Sequence, residues 1–179
     1  MSVDDPRDIE LLVLDVDGVL TDGRLIISPT GEETKVFNAR DGAGMKYWKR
    51  AGGKLAIISG RGSPAVELRA KELAIDAVRI NVKDKLPALE EVLSELNVPA
   101  EQTAAMGDDL TDIPMLRHCG FAAAPADAHE LVHAQVDYVS RLDGGAGCVR
   151  EIIEMLLKRA GKWDDILSRY FPERREQPR

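Results

Sequence analysis

The chain has 179 residues, 44% of them apolar and 31% charged, with a net charge of −7. That length suits one domain with a sizeable core, and the acidic balance disfavours nucleic acid or an anionic membrane as a partner. No apolar run is long enough to span a bilayer, and the acidic start Met-Ser-Val-Asp-Asp-Pro-Arg-Asp lacks the apolar core of a secretion signal, so a cytoplasmic protein is the expectation.

The first expected element is a strand over residues 10–16 that runs into Asp15-Val16-Asp17-Gly18. A buried strand delivering two carboxylates to its carboxyl end places them where open α/β sheets carry their chemistry. Gly18 allows the bend that would turn both acids toward one site. Two close, buried carboxylates then call for a metal, a shared proton, or both. Residues 25–28 and 34–37, joined by Pro29-Thr30-Gly31-Glu32, read as a β-hairpin occupying 24–37. A hairpin alone is marginal, so Leu25, Ile26, Ile27, Val36 and Phe37 need a surface to lean on, and a second copy of the chain is a candidate.

Beyond Asn38 a helix is expected to about Arg50, then a buried strand over 54–58 followed by Ser59-Gly60-Arg61-Gly62. Pro64, at a first helical position behind Ser63, opens a helix to about Leu73. A short strand covers 77–80, and Leu86, Leu89, Val92, Leu93 and Leu96 form a helical stripe over 83–96. The strand 103–106 ends in Gly107-Asp108-Asp109, and a helix (110–118), a strand (120–123), a helix (128–133) and a strand (138–139) follow. The loop Gly144-Gly145-Ala146-Gly147 precedes a helix over 149–158. Such alternation predicts an α/β fold: a doubly wound, mostly parallel, Rossmann-like sheet in a single domain over 1–161. A helical tail, 162–179, carries a one-sided stripe of Trp163, Ile166, Leu167 and Tyr170, read chiefly as packing, and then Arg174 and Arg175, which could reach a neighbour's anionic substrate. Cys119 and Cys148 are far apart and read as small buried hydrophobes. His118, His129 and His133 have no motif context.

Each polar group has an ordinary reading when taken alone. An Asp-x-Asp is usually a surface turn or cap, Ser59 a helix cap, and Asp108-Asp109 an N-cap pair. Lys85 is a solvated first-turn lysine, although a cation at a helix N-terminus invites an anionic partner. Their conjunction, always after an apolar run, points instead to a crevice that handles phosphate with a metal.

The order Asp15-x-Asp17-Gly, Ser59-Gly60, Lys85, and Gly107-Asp108-Asp109 with Asp112 resembles the four motifs of the haloacid dehalogenase superfamily of phosphohydrolases. More narrowly, residues 15–23, Ser59-Gly-Arg61, residues 107–112 and the run from Gly144 to Arg150-Glu151 resemble the 3-deoxy-D-manno-octulosonate 8-phosphate phosphatase family, over about residues 9–160. The resemblance implies a Mg²⁺-dependent phosphomonoesterase of lipopolysaccharide sugar biosynthesis working through an aspartyl phosphate. It implies Asp15 as nucleophile, Asp17 as acid and then base, and Mg²⁺ on the Asp15 and Asp108 side chains and the Asp17 carbonyl. Ser59, Gly60 and Lys85 would hold the phosphoryl oxygens, and Asp109 and Asp112 would orient water or Lys85. Arg61 is either a contact for the sugar-acid carboxylate or a surface ion pair.

Members of the superfamily usually cover the site with a cap domain, and none fits between Gly23 and Asp41 or between Gly62 and Lys83. Neighbouring subunits of a homotetramer, meeting through the hairpins, are expected to close the site instead. Two other functions share these residues. One is a nonulosonate 9-phosphate phosphatase, and the other is a receiver-like phosphoacceptor module, on which Asp17 would have no work to do.

Overall fold

The computed structural model describes residues 9–171. Its frame is a six-stranded sheet with β1 (Leu11–Leu14) at the centre, hydrogen-bonded in parallel to β4 (Lys54–Ile58) on one side and β6 (Thr103–Met106) on the other. The remaining strands are β5 (Ala77–Arg79), β7 (Phe121–Ala124) and β8 (Tyr138–Val139), in the order β5-β4-β1-β6-β7-β8, and all five pairings are parallel. A doubly wound parallel sheet is therefore what the alternation of elements produces.

Both faces of the sheet are covered, which is why its central strands read as continuous apolar runs. Along β1 the side chains alternate between two cores: Leu12 and Leu14 face one, Leu11 and Val13 the other, all at most 1% exposed. The first core is closed by α1 (Ala39–Arg50), α2 (Pro64–Glu72) and α6 (Cys148–Arg159), through Met45, Trp48, Val66, Ile152 and Ile153. The second is closed by α3 (Lys85–Leu96), α4 (Ile113–His118) and α5 (Glu130–His133), through Leu89, Val92, Met115, Leu116 and Val132.

From β1 the chain winds outward to β5, then returns through α3 to the opposite side of β1. Loops at the carboxyl ends of β1, β4 and β6 consequently part to opposite faces and leave a crevice there.

The expected hairpin is present but shorter. Its strands, β2 (Ile26–Ile27) and β3 (Glu33–Thr34), pair antiparallel around Gly31 at φ +86°. The second strand lies earlier than 34–37 because Phe37 leaves the ladder to pack against the first core. Leu25, Ile26, Ile27 and Val36 are 49–64% exposed. Between Gly62 and Lys83 the chain forms only α2 and β5, leaving no room for an inserted cap.

After Gly161 the short α7 (Trp163–Leu167) packs on its own chain. Trp163 and Tyr170 meet Tyr47 of α1 edge-on at centroid distances of 6.2 and 6.0 Å, and Ile166 is buried. Arg174 and Arg175 lie outside the described residues. Among the described residues no helix is long and apolar enough to cross a membrane.

Candidate active site

β1 ends one residue before Asp15, whose backbone N–H still bonds to the carbonyl of Met106 on β6 (3.1 Å), so the sheet fixes where that carboxylate begins. The next turn winds tightly, with the N–H groups of Val19, Leu20 and Thr21 all donating to the carbonyl of Val16. Gly18 enables it twice over. Its φ of +91° is a conformation other residues resist, and a Cβ there would stand 2.1 Å from Asp108 Oδ2. The loops after β1 and β6 are thereby pressed together.

Asp112 organises the β6 side. Fully buried, it folds back beneath the loop, and its Oδ2 accepts from the N–H groups of Asp108 (3.0 Å) and Asp109 (3.2 Å). Gly107 makes room, since a Cβ on it would lie 2.4 Å from the Cβ of Asp112. The other Asp112 oxygen accepts from Lys85, the first residue of α3, whose ammonium also sits 2.8 Å from Asp15 Oδ1. Burial by itself would drive the Lys85 proton off, but Asp15 and Asp112 together hold its pKa above the ordinary value.

The carboxyl end of β4 brings Ser59, which is 1% exposed. Its hydroxyl oxygen accepts from the Arg61 N–H (3.3 Å) and keeps its own proton free to donate. Gly60 is exposed beside it.

Asp15, Asp108 and Asp112 offer oxygens that all lie within 4.8 Å of one another. That span is slightly wider than the about 4.2 Å allowed to oxygens on opposite sides of a Mg²⁺ with bonds of about 2.1 Å. The electrostatics fit a cation there. Burial, then the Asp15 and Asp112 charges, push Asp108 up to about 8, while burial and Asp112 raise Asp15 to about 6 against the opposing pull of Lys85. Asp108 Oδ1 is buried with no hydrogen-bond donor in reach. Of the three acids, Asp112 has both oxygens committed to the protein, which leaves Asp15 and Asp108 as the side chains able to take a divalent ion.

Comparisons with known proteins agree with this geometry. Residues 78–152 match the family described as haloacid dehalogenase-like hydrolase. The chain is 42% identical over 159 residues to the 3-deoxy-D-manno-octulosonate 8-phosphate phosphatase of Escherichia coli, spanning 89% of this chain and 85% of that one. It belongs to the 3-deoxy-D-manno-octulosonate 8-phosphate phosphatase family. A solved family member from Moraxella catarrhalis, in complex with magnesium, phosphate and KDO, superposes with a TM-score of 0.90 at 38% identity, covering 92% of this chain and 95% of that one. The cobalt-bound phosphatase of Haemophilus influenzae gives 0.86 at 39% identity, over 88% and 92%. The chain is accordingly a phosphatase with the haloacid dehalogenase-like fold.

Three features of this family member were not apparent from the motifs. Asp109 does not reach Lys85; it is exposed and caps the 3₁₀ turn Leu110–Asp112 through the Leu110 N–H (2.8 Å). Asp17 lies among cations from elsewhere, with Oδ1 2.5 Å from Lys35 Nζ and Oδ2 3.6 Å from Arg61 Nε. Lys35, absent from the expected site, has a side chain only 1% exposed, and a lysine directly before the apolar pair Val36-Phe37 was the available signal. Arg61 also pairs with Glu33 (2.9 Å), so it forms an ion pair at the mouth of the crevice. Finally, the Gly144–Gly147 loop braces the turn after Asp17. The Gly145 N–H donates to Val19, and a Cβ on Gly144 would stand 1.9 Å from the Gly18 carbonyl oxygen.

Proposed function

We propose that this phosphatase hydrolyses 3-deoxy-D-manno-octulosonate 8-phosphate to the free sugar acid and phosphate with Mg²⁺, through an aspartyl phosphate on Asp15. One observation carries the chemistry: a buried carboxylate at the end of the central strand, beside a paired lysine and a second acid whose buried oxygen has no donor. The family relationship carries the substrate, with Arg61 as the contact for its carboxylate: the substrate would take the place of Glu33 on the guanidinium, which grips a carboxylate through two parallel hydrogen bonds.

In this reading Asp15 attacks phosphorus, the bond to the ester oxygen breaks, and Asp17 gives its proton to the departing alkoxide. Asp17 then takes a proton from water, which attacks phosphorus, breaks the bond to Asp15 and releases phosphate. Ser59 and the Gly60 N–H hold phosphoryl oxygens, and Lys85 balances their charge. Asp15, Asp108 and the Asp17 carbonyl would hold Mg²⁺, which supplies the positive charge that keeps the clustered carboxylates ionised and offsets charge on the transferring group. Asp112 orients Lys85 and the Asp108 backbone, supported by its bonds to both.

The exposed apolar face of the hairpin supports a homotetramer in which neighbouring subunits cover the crevice, because a phosphoenzyme needs water excluded and this fold has no cap. Cys119 and Cys148 are both free thiols, which suits the cytoplasm. A panel of phosphate esters assayed with and without Mg²⁺ tests the substrate. Steady phosphate release from the eight-carbon acid, absent with EDTA, is expected, and equal or faster release from nine-carbon acids would reassign it. Light scattering on the double variant Ile27→Asp, Val36→Asp tests assembly, and an unchanged mass would remove the hairpin from the interface.

A further inference from the structure

The hairpin carries more than an apolar face. Val36 points outward at 64% exposure, whereas the side chain of its neighbour Lys35 is 1% exposed. A lysine is almost never buried to that degree unless it is paired. Its ammonium sits 2.5 Å from Asp17 Oδ1 and 2.8 Å from Glu33 Oε1. Arg61, from the loop after β4, lies 2.9 Å from Glu33 Oε2 and 3.6 Å from Asp17 Oδ2. Two carboxylates and two cations from three separate segments thus close a ring beside the catalytic turn.

Within that ring the two oxygens of Asp17 are treated unequally. Oδ1 meets Lys35 and accepts from the Thr21 hydroxyl at 3.4 Å. Oδ2 is buried and accepts no hydrogen bond, with Arg61 Nε standing off at 3.6 Å. A lysine serving only to tie the hairpin down would be satisfied by Glu33, two residues before it in the chain, yet its ammonium also reaches Asp17 on a separate turn.

We propose that Lys35 is a positioning residue for proton transfer: it pins Oδ1 of Asp17, so that Oδ2 is the oxygen presented to the leaving group, and Glu33 aims Lys35. This rests on Asp17 being the acid, as set out above. The hairpin then becomes a working part of the active site as well as an assembly surface.

First-turnover release of the alcohol separates this role from a structural one, because the two leaving groups need the acid unequally. The alkoxide of the sugar-acid ester must be protonated as it departs, whereas p-nitrophenolate leaves unaided. For Lys35→Met we expect alcohol release from the sugar ester to slow roughly a hundredfold, the low end for a lost general acid, and p-nitrophenol release to slow less than about threefold. KM should stay near that of the parent for both esters, and Lys35→Arg should recover part of the loss. Glu33→Gln, which keeps the lysine, should show the same selectivity at about a tenth of the size.

Asp17→Asn is run beside these variants. If it slows both esters alike, the assignment of Asp17 fails, whatever Lys35 does. If Asp17→Asn is selective while Lys35→Met and Glu33→Gln slow both esters equally, or neither, the positioning role is overturned. Light scattering and circular dichroism on each variant keep loss of assembly or fold from imitating selectivity.

Discussion

Two sets of opposed charges share the crevice and are anchored in different ways. Asp15, Lys85 and Asp112 begin on or beside the central sheet and its helices, and none is more than 6% exposed. Asp17, Glu33, Lys35 and Arg61 come from a turn, a hairpin with two residues per strand, and a loop, and the Arg61 side chain is 48% exposed. Packing holds the first set; its own ion pairs largely hold the second. The covalent step proposed for Asp15 needs a nucleophile fixed to a fraction of an ångström, which suits a residue at the strand end. The proton transfer proposed for Asp17 would fall to residues that arrive on a separate element and can adjust.

The contrast breaks most visibly at the proposed nucleophile. Asp15→Asn is expected to lower turnover by roughly four orders of magnitude or more, as for other essential covalent nucleophiles, without lowering the unfolding midpoint. Phosphate release at a tenth of the parent rate would move the nucleophile elsewhere.

Lys85→Met compares the two halves on one scale. It leaves Asp15 and Asp112 buried without their cation, so denaturant unfolding should show a loss of about 3–5 kcal/mol, together with a fall in kcat of about 10²–10³. Arg61→Met, in the half-exposed ring, should cost under about 1 kcal/mol. Equal losses would erase the distinction.

The acid cluster also predicts a pH dependence of definite sign. Burial and mutual repulsion raise Asp108 to about 8 and Asp15 to about 6, against an ordinary carboxylate value of about 3.9 in the unfolded chain. The folded, metal-free protein therefore binds more protons than the unfolded chain over that window, and stability falls as pH rises through it. Thermal midpoints without metal should drop by several degrees, roughly, between pH 5 and 8. Mg²⁺ or Asp108→Asn should each remove most of that drop, and Asp108→Asn should also abolish the Mg²⁺-dependent rise. A flat metal-free profile would show that these carboxylates do not repel.

Smaller effects test the supports. Gly144→Ala forces a methyl against the Gly18 carbonyl, so a loss of about 1–3 kcal/mol is expected from overpacking, with a few-fold fall in kcat as the turn bearing Asp17 shifts. Trp163→Leu should cost about 1 kcal/mol through its lost edge contact with Tyr47 and leave kcat unchanged. A changed kcat would give the tail a role beyond packing.

Much of this is legible in the amino-acid sequence. The strands, their parallel order, and the grouping of Asp15, Ser59, Lys85 and Asp108 at one sheet edge follow from apolar runs that end in polar residues. Boundaries moved by one or two residues, as at β3, where Phe37 gains more from the core than from extending the ladder. The absence of a cap was countable from loop lengths. Asp109 was the weaker expectation, because Asp109 and Asp112 look equivalent in a string of letters, whereas the 3₁₀ turn sends Asp112 beneath the loop and leaves Asp109 at the surface as a cap.

Hydrophobic periodicity and strand-end chemistry are local properties, and they were enough to specify the layered α/β fold and to bring the residues proposed for the covalent step to one edge of it. The ring of Asp17, Lys35, Glu33 and Arg61 depends on how a two-residue-strand hairpin docks against loops remote in the chain, and so does the close approach of Gly144 to Gly18. No period or motif records such docking. Partners brought together by tertiary packing share a site only after the core has set the distance between them.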